Sequence, residues 1–212
     1  MSRSQHAVWE AIAHSFDRSR IRTWPHVEAF LAGLPPGSFV LDLMGGNGRH
    51  LPSIAKVGHR AAWLDFSRPA AAIVAKRYPQ AAAVVGDAVH LPFASATFDA
   101  CVFVAGLHSL PTAKARAGCL LELHRVLKPG GTAQVTVWSR DAPKFRAQGT
   151  PGQPLDVVIP WRGDGHDEPR HYYLYTPAAL AAELETAGFA VDGIEPASVV
   201  AADDNLVALV RR

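Results

Sequence analysis

Five short apolar runs mark the first two thirds of the chain: Ser38–Leu43, Arg60–Asp65, Ala82–Val85, Phe98–Val104 and Thr132–Trp138. The first is continuous rather than alternating, as a strand buried on both faces should be. Helical spacing fills the gaps. His50–Val57 ends at Gly58, and Pro69–Arg77 has proline near its first turn. Lys114–Leu127 carries Leu120, Leu121, Leu123 and Leu127 on one face, and Lys128-Pro-Gly-Gly131 stops it. This β-α alternation predicts a mostly parallel sheet with helices on both faces. Thr176-Pro177 opens a later helix that Gly188 ends, and Val191–Val200 with Asn205–Val210 predicts an antiparallel pair at the sheet edge.

Two segments break the pattern. Residues 1–36 read as an amphipathic helix, a basic loop and a second helix begun by Pro25, together a helical cap. Residues 139–170 are interrupted by Pro143, Pro151, Pro154, Pro160 and Pro169, and predict an irregular loop or lid. Too little chain follows for a second domain, so one domain over 1–212 is expected.

Composition narrows the class. The chain is 49% hydrophobic, enough for a sizeable core and too much for disorder. A net charge of +2 excludes a strongly basic nucleic-acid coat, but not the local strip His14, Arg18, Arg20, Arg22 and His26, which could meet phosphates. Cys101 and Cys119 are too few for a disulfide scaffold or a four-cysteine zinc site, and no metal is expected. No apolar run reaches the ~20 residues of a membrane span, and the first residues lack the apolar core of a signal peptide. A cytoplasmic protein without membrane contact is the expectation.

The chemistry gathers at the carboxyl ends of the first strands. Asp42-Leu-Met-Gly-Gly-Asn-Gly48 joins a buried strand to a helix, where glycine lets a ligand approach the backbone. Asp65 ends the second strand and suits the two hydroxyls of a ribose. Asp87, in Gly86-Asp-Ala88, ends the third and is placed to meet an adenine. Three strand ends thus converge on one nucleoside. A nicotinamide-dinucleotide domain would want Gly-x-Gly-x-x-Gly, which this turn lacks.

Val40-Leu-Asp-Leu-Met-Gly-Gly-Asn-Gly48, Leu64-Asp-Phe-Ser67, Gly86-Asp-Ala88, Leu91-Pro-Phe93 and the run Arg125–Gly131 resemble class I S-adenosylmethionine-dependent methyltransferases. The resemblance implies a Rossmann-like, seven-stranded, mostly parallel sheet with an antiparallel last strand. It implies a cofactor set of Asp42, Met44, Gly45, Gly46, Gly48, Asp65, Phe66, Asp87, Ala88 and Val104 around S-adenosylmethionine. The family usually reads Asp-x-Gly-x-Gly-x-Gly, so Met44 stands where glycine is usual. A positive φ there would strain methionine by about 1–3 kcal/mol.

The flanks point further. Trp24-Pro25, Gly106-Leu-His-Ser-Leu110, Val137-Trp138, Asp156-Val-Val-Ile-Pro-Trp161 and His171-Tyr-Tyr173 are similar to the tRNA methyltransferases that act on 5-carboxymethyluridine at the wobble position. That resemblance implies tRNA as substrate and a small zinc-binding activator as partner. The family commonly has Arg-Tyr-Tyr-His where this chain has His171-Tyr-Tyr-Leu174, and two histidines where it keeps His108 alone.

Methyl transfer to a carboxylate needs in-line placement more than a general base, because the nucleophile is already ionised at pH 7. A cation must orient it, and Arg20 and His108 are the candidates. Trp161, Tyr172 and Tyr173 are candidates to stack an unpaired base. A small-molecule methyltransferase of the same fold is the alternative. A cofactor-binding scaffold without catalysis is the third reading.

Overall fold

The computed structural model describes residues 4–19, 22–150, 152–197 and 204–212. The sequence expectations for Arg20 and for residues 198–200 fall outside them. Helices α1 (Gln5–Ser19) and α2 (Pro25–Ala32) precede strand β1 (Phe39–Leu43). Then follow α3 (Leu51–Lys56), β2 (Arg60–Asp65), α4 (Arg68–Arg77), β3 (Ala82–Val85), β4 (Phe98–Val104), α5 (Ala113–Val126) and β5 (Leu127–Trp138). The chain closes with β6 (Leu155–Gly163), β7 (His166–Leu174), α6 (Pro177–Thr186), β8 (Ala190–Ala197) and β9 (Asn205–Arg211).

Seven strands form one sheet in the order β3-β2-β1-β4-β5-β9-β8. The pairs from β3 to β5 are parallel. β9 runs antiparallel between β5 and β8. The expected pair is therefore present, with β9 inserted into the sheet and β8 at its edge.

Alternate side chains of β1 sort to the two faces. Leu41 and Leu43 join α5 and α6 in one core, while Val40 joins α2, α3 and α4 in the other. Burial on both faces explains why β1, β2 and β4 read as continuous apolar runs. The strand order reverses between β1 and β4, which opens a crevice at their carboxyl ends. No helix among the described residues is long and apolar enough to cross a membrane.

The 139–170 segment departs from expectation. Its second half is not irregular: β6 and β7 form an antiparallel hairpin separate from the main sheet. Pro160 and Pro169 face each other across it. In a two-stranded ribbon each strand has an open edge, so a residue without an N–H is tolerated. The two-residue loop is Asp164-Gly165, and both residues have positive φ, 52° and 80°. This is the type I′ geometry that matches the twist of a hairpin. Along β7, Arg170, Tyr172 and Leu174 are buried, while His171 and Tyr173 between them are only partly so.

The buried face of this hairpin lies against α1 and β5. Tyr172 and Leu174 pack with Trp9, Trp138, Phe145, Leu155, Val157 and Ile159. Polar contacts fix the same arrangement. Gln5 donates to the Pro169 carbonyl (3.1 Å) and accepts from the His171 N–H (2.9 Å). Trp161 Nε1 donates to Ser15 Oγ at 2.9 Å, and Arg18 pairs with Asp164.

A Cβ added at Gly165 meets nothing within 4 Å, so its backbone conformation alone is at stake. Gly165→Val is expected to destabilise the chain by about 1–2 kcal/mol, the cost of a left-handed L-residue. Urea unfolding measures it; unchanged stability would show that the turn is not type I′.

Candidate functional site

A cavity of about 820 Å³ opens at the carboxyl ends of β1, β2, β4 and β5. Asp42, Met44–Gly46, Asp65–Ser67 and Val104–Gly106 line one end. Trp9, His108, Trp138, Lys144, Arg170, Tyr172 and Asn205 line the other.

At the first end the turn after β1 comes very close to β2. A Cβ on Gly45 would lie 2.4 Å from the Trp63 ring and 2.8 Å from the Asp42 carboxyl carbon, so only glycine fits. Asp65 then ties two turns together. Its carboxylate accepts from the Gly46 N–H and the Ser67 N–H, each at 3.0 Å. Burial raises its pKa, and the backbone donors of Ser67, Gly46 and Phe66 oppose the rise. Two oxygens offer about four acceptor positions, so capacity remains for hydroxyls in the cleft.

Asp42 is fully enclosed, and its Oδ2 has no hydrogen-bond partner. Burial raises its pKa to about 7; nearby Arg49 opposes the rise and Asp65 adds to it. A cavity lined by an unpartnered buried acceptor, a backbone cradle and a buried strand-end carboxylate fits a nucleoside carrying a cationic group.

Met44 has φ 51°, so the position does demand a left-handed backbone. Its side chain lies against Gly106, where an added Cβ would be 3.1 Å from the sulfur. Gly48 packs behind the turn on Leu51 and Val74, away from the cavity. Asp87 and Ala88 are not among the residues that line the cavity. Asp87 accepts from the Val89 N–H (3.0 Å), closing its own turn, and Ala88 is buried in the core.

Helix α1 covers this end. Asp17 receives both terminal nitrogens of Arg77 (2.7 and 2.8 Å) and the Asn47 amide (3.1 Å). The arginine hydrogen bonds hold the Asp17 carboxyl below its usual range. The basic strip is thereby partly consumed: Arg18 pairs with Asp164, and burial lowers the pKa of His26 to about 4.

The second end is aromatic and basic. His108 stacks on Trp138 with centroids 5.2 Å apart, and Trp138 lies 4.5 Å from Tyr172. The Trp138 N–H donates to His108 Nδ1 at 3.1 Å, which leaves the ring proton on Nε2. Burial lowers the His108 pKa to about 3, and Arg170 and Lys144 lower it further. His108 is therefore a neutral donor, not the cation expected from sequence. Arg20 lies outside the described residues, although Ser19 and Arg22 beside it line the cavity.

Among the aromatic candidates, Tyr172 lines the cavity and Trp161 and Tyr173 do not. Strand alternation separates the tyrosines: Tyr173 faces the other way, 3.7 Å under the Arg116 guanidinium. Trp161 is held by Ser15 and packs on Phe16. The cations that sequence reasoning missed are Arg170 and Lys144. Asp164-Gly165 followed by alternating residues was the signal for the hairpin that places Arg170 inward.

Residues 41–135 match the family described as a methyltransferase domain. A solved 1,6-didemethyltoxoflavin-N1-methyltransferase of Burkholderia thailandensis superposes with a TM-score of 0.74 at 22% identity, over 100% of this chain and 92% of that one. The chain thus shares the fold of that solved methyltransferase, with the matched family segment at its centre. More particularly, it is 40% identical over 139 residues to a tRNA (carboxymethyluridine(34)-5-O)-methyltransferase of Arabidopsis thaliana, covering 64% of this chain and 33% of that protein. A Schizosaccharomyces pombe protein of the same name is 29% identical over 206 residues, 86% of this chain and 87% of its own length. The chain spans only 20–33% of the length of several plant and vertebrate relatives.

The unfolded chain's His108 takes a proton near pH 6.5, the folded one only near 3. Its contribution to stability is present above pH 6.5 and is lost as pH falls toward 3. An NMR titration is expected to show one neutral, Nε2-protonated ring from pH 8 to 5. A midpoint near 6.5 would mean that water reaches the ring.

Proposed function

We propose that this chain is an S-adenosylmethionine-dependent methyltransferase acting on the carboxylate of a 5-carboxymethyl wobble uridine in tRNA. The observation that carries this reading is the two-ended cavity, with buried carboxylates at one end and aromatic rings with cations at the other. When bound, S-adenosylmethionine supplies a methyl group already activated on a sulfonium. Asp65 would hold the ribose hydroxyls, and the Gly45–Gly46 backbone and Asp42 would meet the methionine moiety. Phe66 and Val104 line the same end.

At the other end, His108 offers a neutral Nε2–H, and Tyr172 and Trp138 offer ring faces to an extruded base. α1 and the hairpin keep water from the nucleophile, which strengthens each charge interaction inside. We take residues 1–36 as a cap and the whole chain as one domain working in the cytoplasm. The resemblance adds a small zinc-binding activator as partner. The cover over the acceptor end is also what a free metabolite would need, so a small-molecule substrate is the second reading.

Two measurements test this. Asp65→Ala is expected to weaken S-adenosylhomocysteine binding by about 1.5–3 kcal/mol, the worth of a charge-assisted hydrogen bond. Unchanged affinity by calorimetry would remove Asp65 from the site. Methyl transfer to tRNA containing carboxymethyluridine is expected with the activator present. Transfer to metabolites alone would move the substrate to the second reading.

A further inference from the structure

The structure assigns Arg170 as the residue that binds and orients the acceptor's carboxylate, a positively charged clamp inside an aromatic box. The inference rests on the methyl-acceptor reading above and names its specificity determinant. Arg170 is 7% exposed and lines the cavity. Its guanidinium carbon lies 4.9 Å from the Trp161 ring centre, 5.2 Å from Tyr172 and 5.5 Å from Trp9. Rings on several sides hold the planar group by cation–π attraction and fix its direction. They come from α1, β6 and β7, so cap and hairpin together build the clamp.

Position supports the assignment. Arg170 and Tyr172 share the buried face of β7, and the tilted Tyr172 ring lies 5.3 Å from His108. Arg170 is also the larger of two charges that disfavour a proton on His108. Burial, aided by Arg170, keeps the imidazole neutral, which leaves Nε2–H as a second donor for the same anion. Lys144 stands at the rim, 4.5 Å from the Trp138 ring centre and 3.5 Å from Asp204. Half exposed and shared with an aspartate, it suits steering better than orientation.

A guanidinium presents two parallel donors to a carboxylate. The carboxylate keeps other lone pairs for attack, so the clamp orients the nucleophile without removing it. A neutral amide in the same place would accept one bond and lose the charge term. The site should therefore distinguish carboxymethyl from carbamoylmethyl uridine.

The test measures binding of tRNA bearing each group to the protein loaded with S-adenosylhomocysteine. The wild type is expected to prefer the carboxylate, and Arg170→Gln to lose about tenfold or more of that preference. Binding of the amide should fall by less than binding of the carboxylate, and cofactor affinity should be unchanged. Arg170→Lys, which keeps charge and stem, should retain part of the preference and guards against misfolding of the glutamine variant. The carboxylate-over-amide preference is itself a readout that a merely structural role would not move. A preference kept in full by Arg170→Gln overturns the assignment alone. Equal binding of both tRNAs by the wild type overturns the carboxylate reading and the assignment together.

Discussion

The carboxylate of Asp65 holds the site together. It sits at the end of β2, yet one oxygen binds the turn after β1 and the other binds the start of α4. Two loops that could otherwise move independently share one buried anion. That sharing is possible because the β1 turn passes within contact distance of β2, which Gly45 alone permits. The burial that raises the Asp65 pKa is offset by backbone donors, so the group stays available as an acceptor. Asp42 lacks that compensation at Oδ2, and its pKa rises to about 7.

The second constraint is the joining of α1 to the hairpin. A short helix at a chain end and a two-stranded ribbon are each marginal alone. Here each completes the other. α1 supplies Trp9, Ser15 and Gln5, and the hairpin supplies Tyr172, Trp161 and the Pro169 carbonyl. Asp17 then anchors α1 to Arg77 and Asn47, beside the glycine turn. The cover over the acceptor end is thereby coupled to the floor of the cofactor end.

The sheet was legible because its strands bury both faces and its helices begin and end on proline and glycine. The end of the cavity at β1 and β2 was legible for a related reason: strand-end acids and glycines are punctuation as well as chemistry. An acid after an edge strand can serve its own turn, and Asp87 accepts from Val89. The acceptor end was poorly legible. Its cation, Arg170, lies in a proline-rich stretch that reads as loop, because Pro160 and Pro169 mask the alternation of a hairpin that tolerates them. His108 lines the cavity, but burial and neighbouring cations lower its pKa, and neither can be read from one histidine in a sequence. Tyr172 and Tyr173 read as one pair until strand geometry sends them to opposite faces.

The charges now form a pattern along the cavity. Asp42 and Asp65 make one end favourable to a cation, with Arg49 as partial counterweight. Arg170 and Lys144 make the other end favourable to an anion. The sulfonium donor and carboxylate acceptor of the proposed reaction match those ends, and the match is strongest where water is excluded. Passing a methyl group from the first to the second cancels one positive and one negative charge. The residues that collect the reactants then face a neutral thioether and a neutral ester. In the proposed reaction the same side chains that assemble the complex would therefore hold the products less tightly than the reactants.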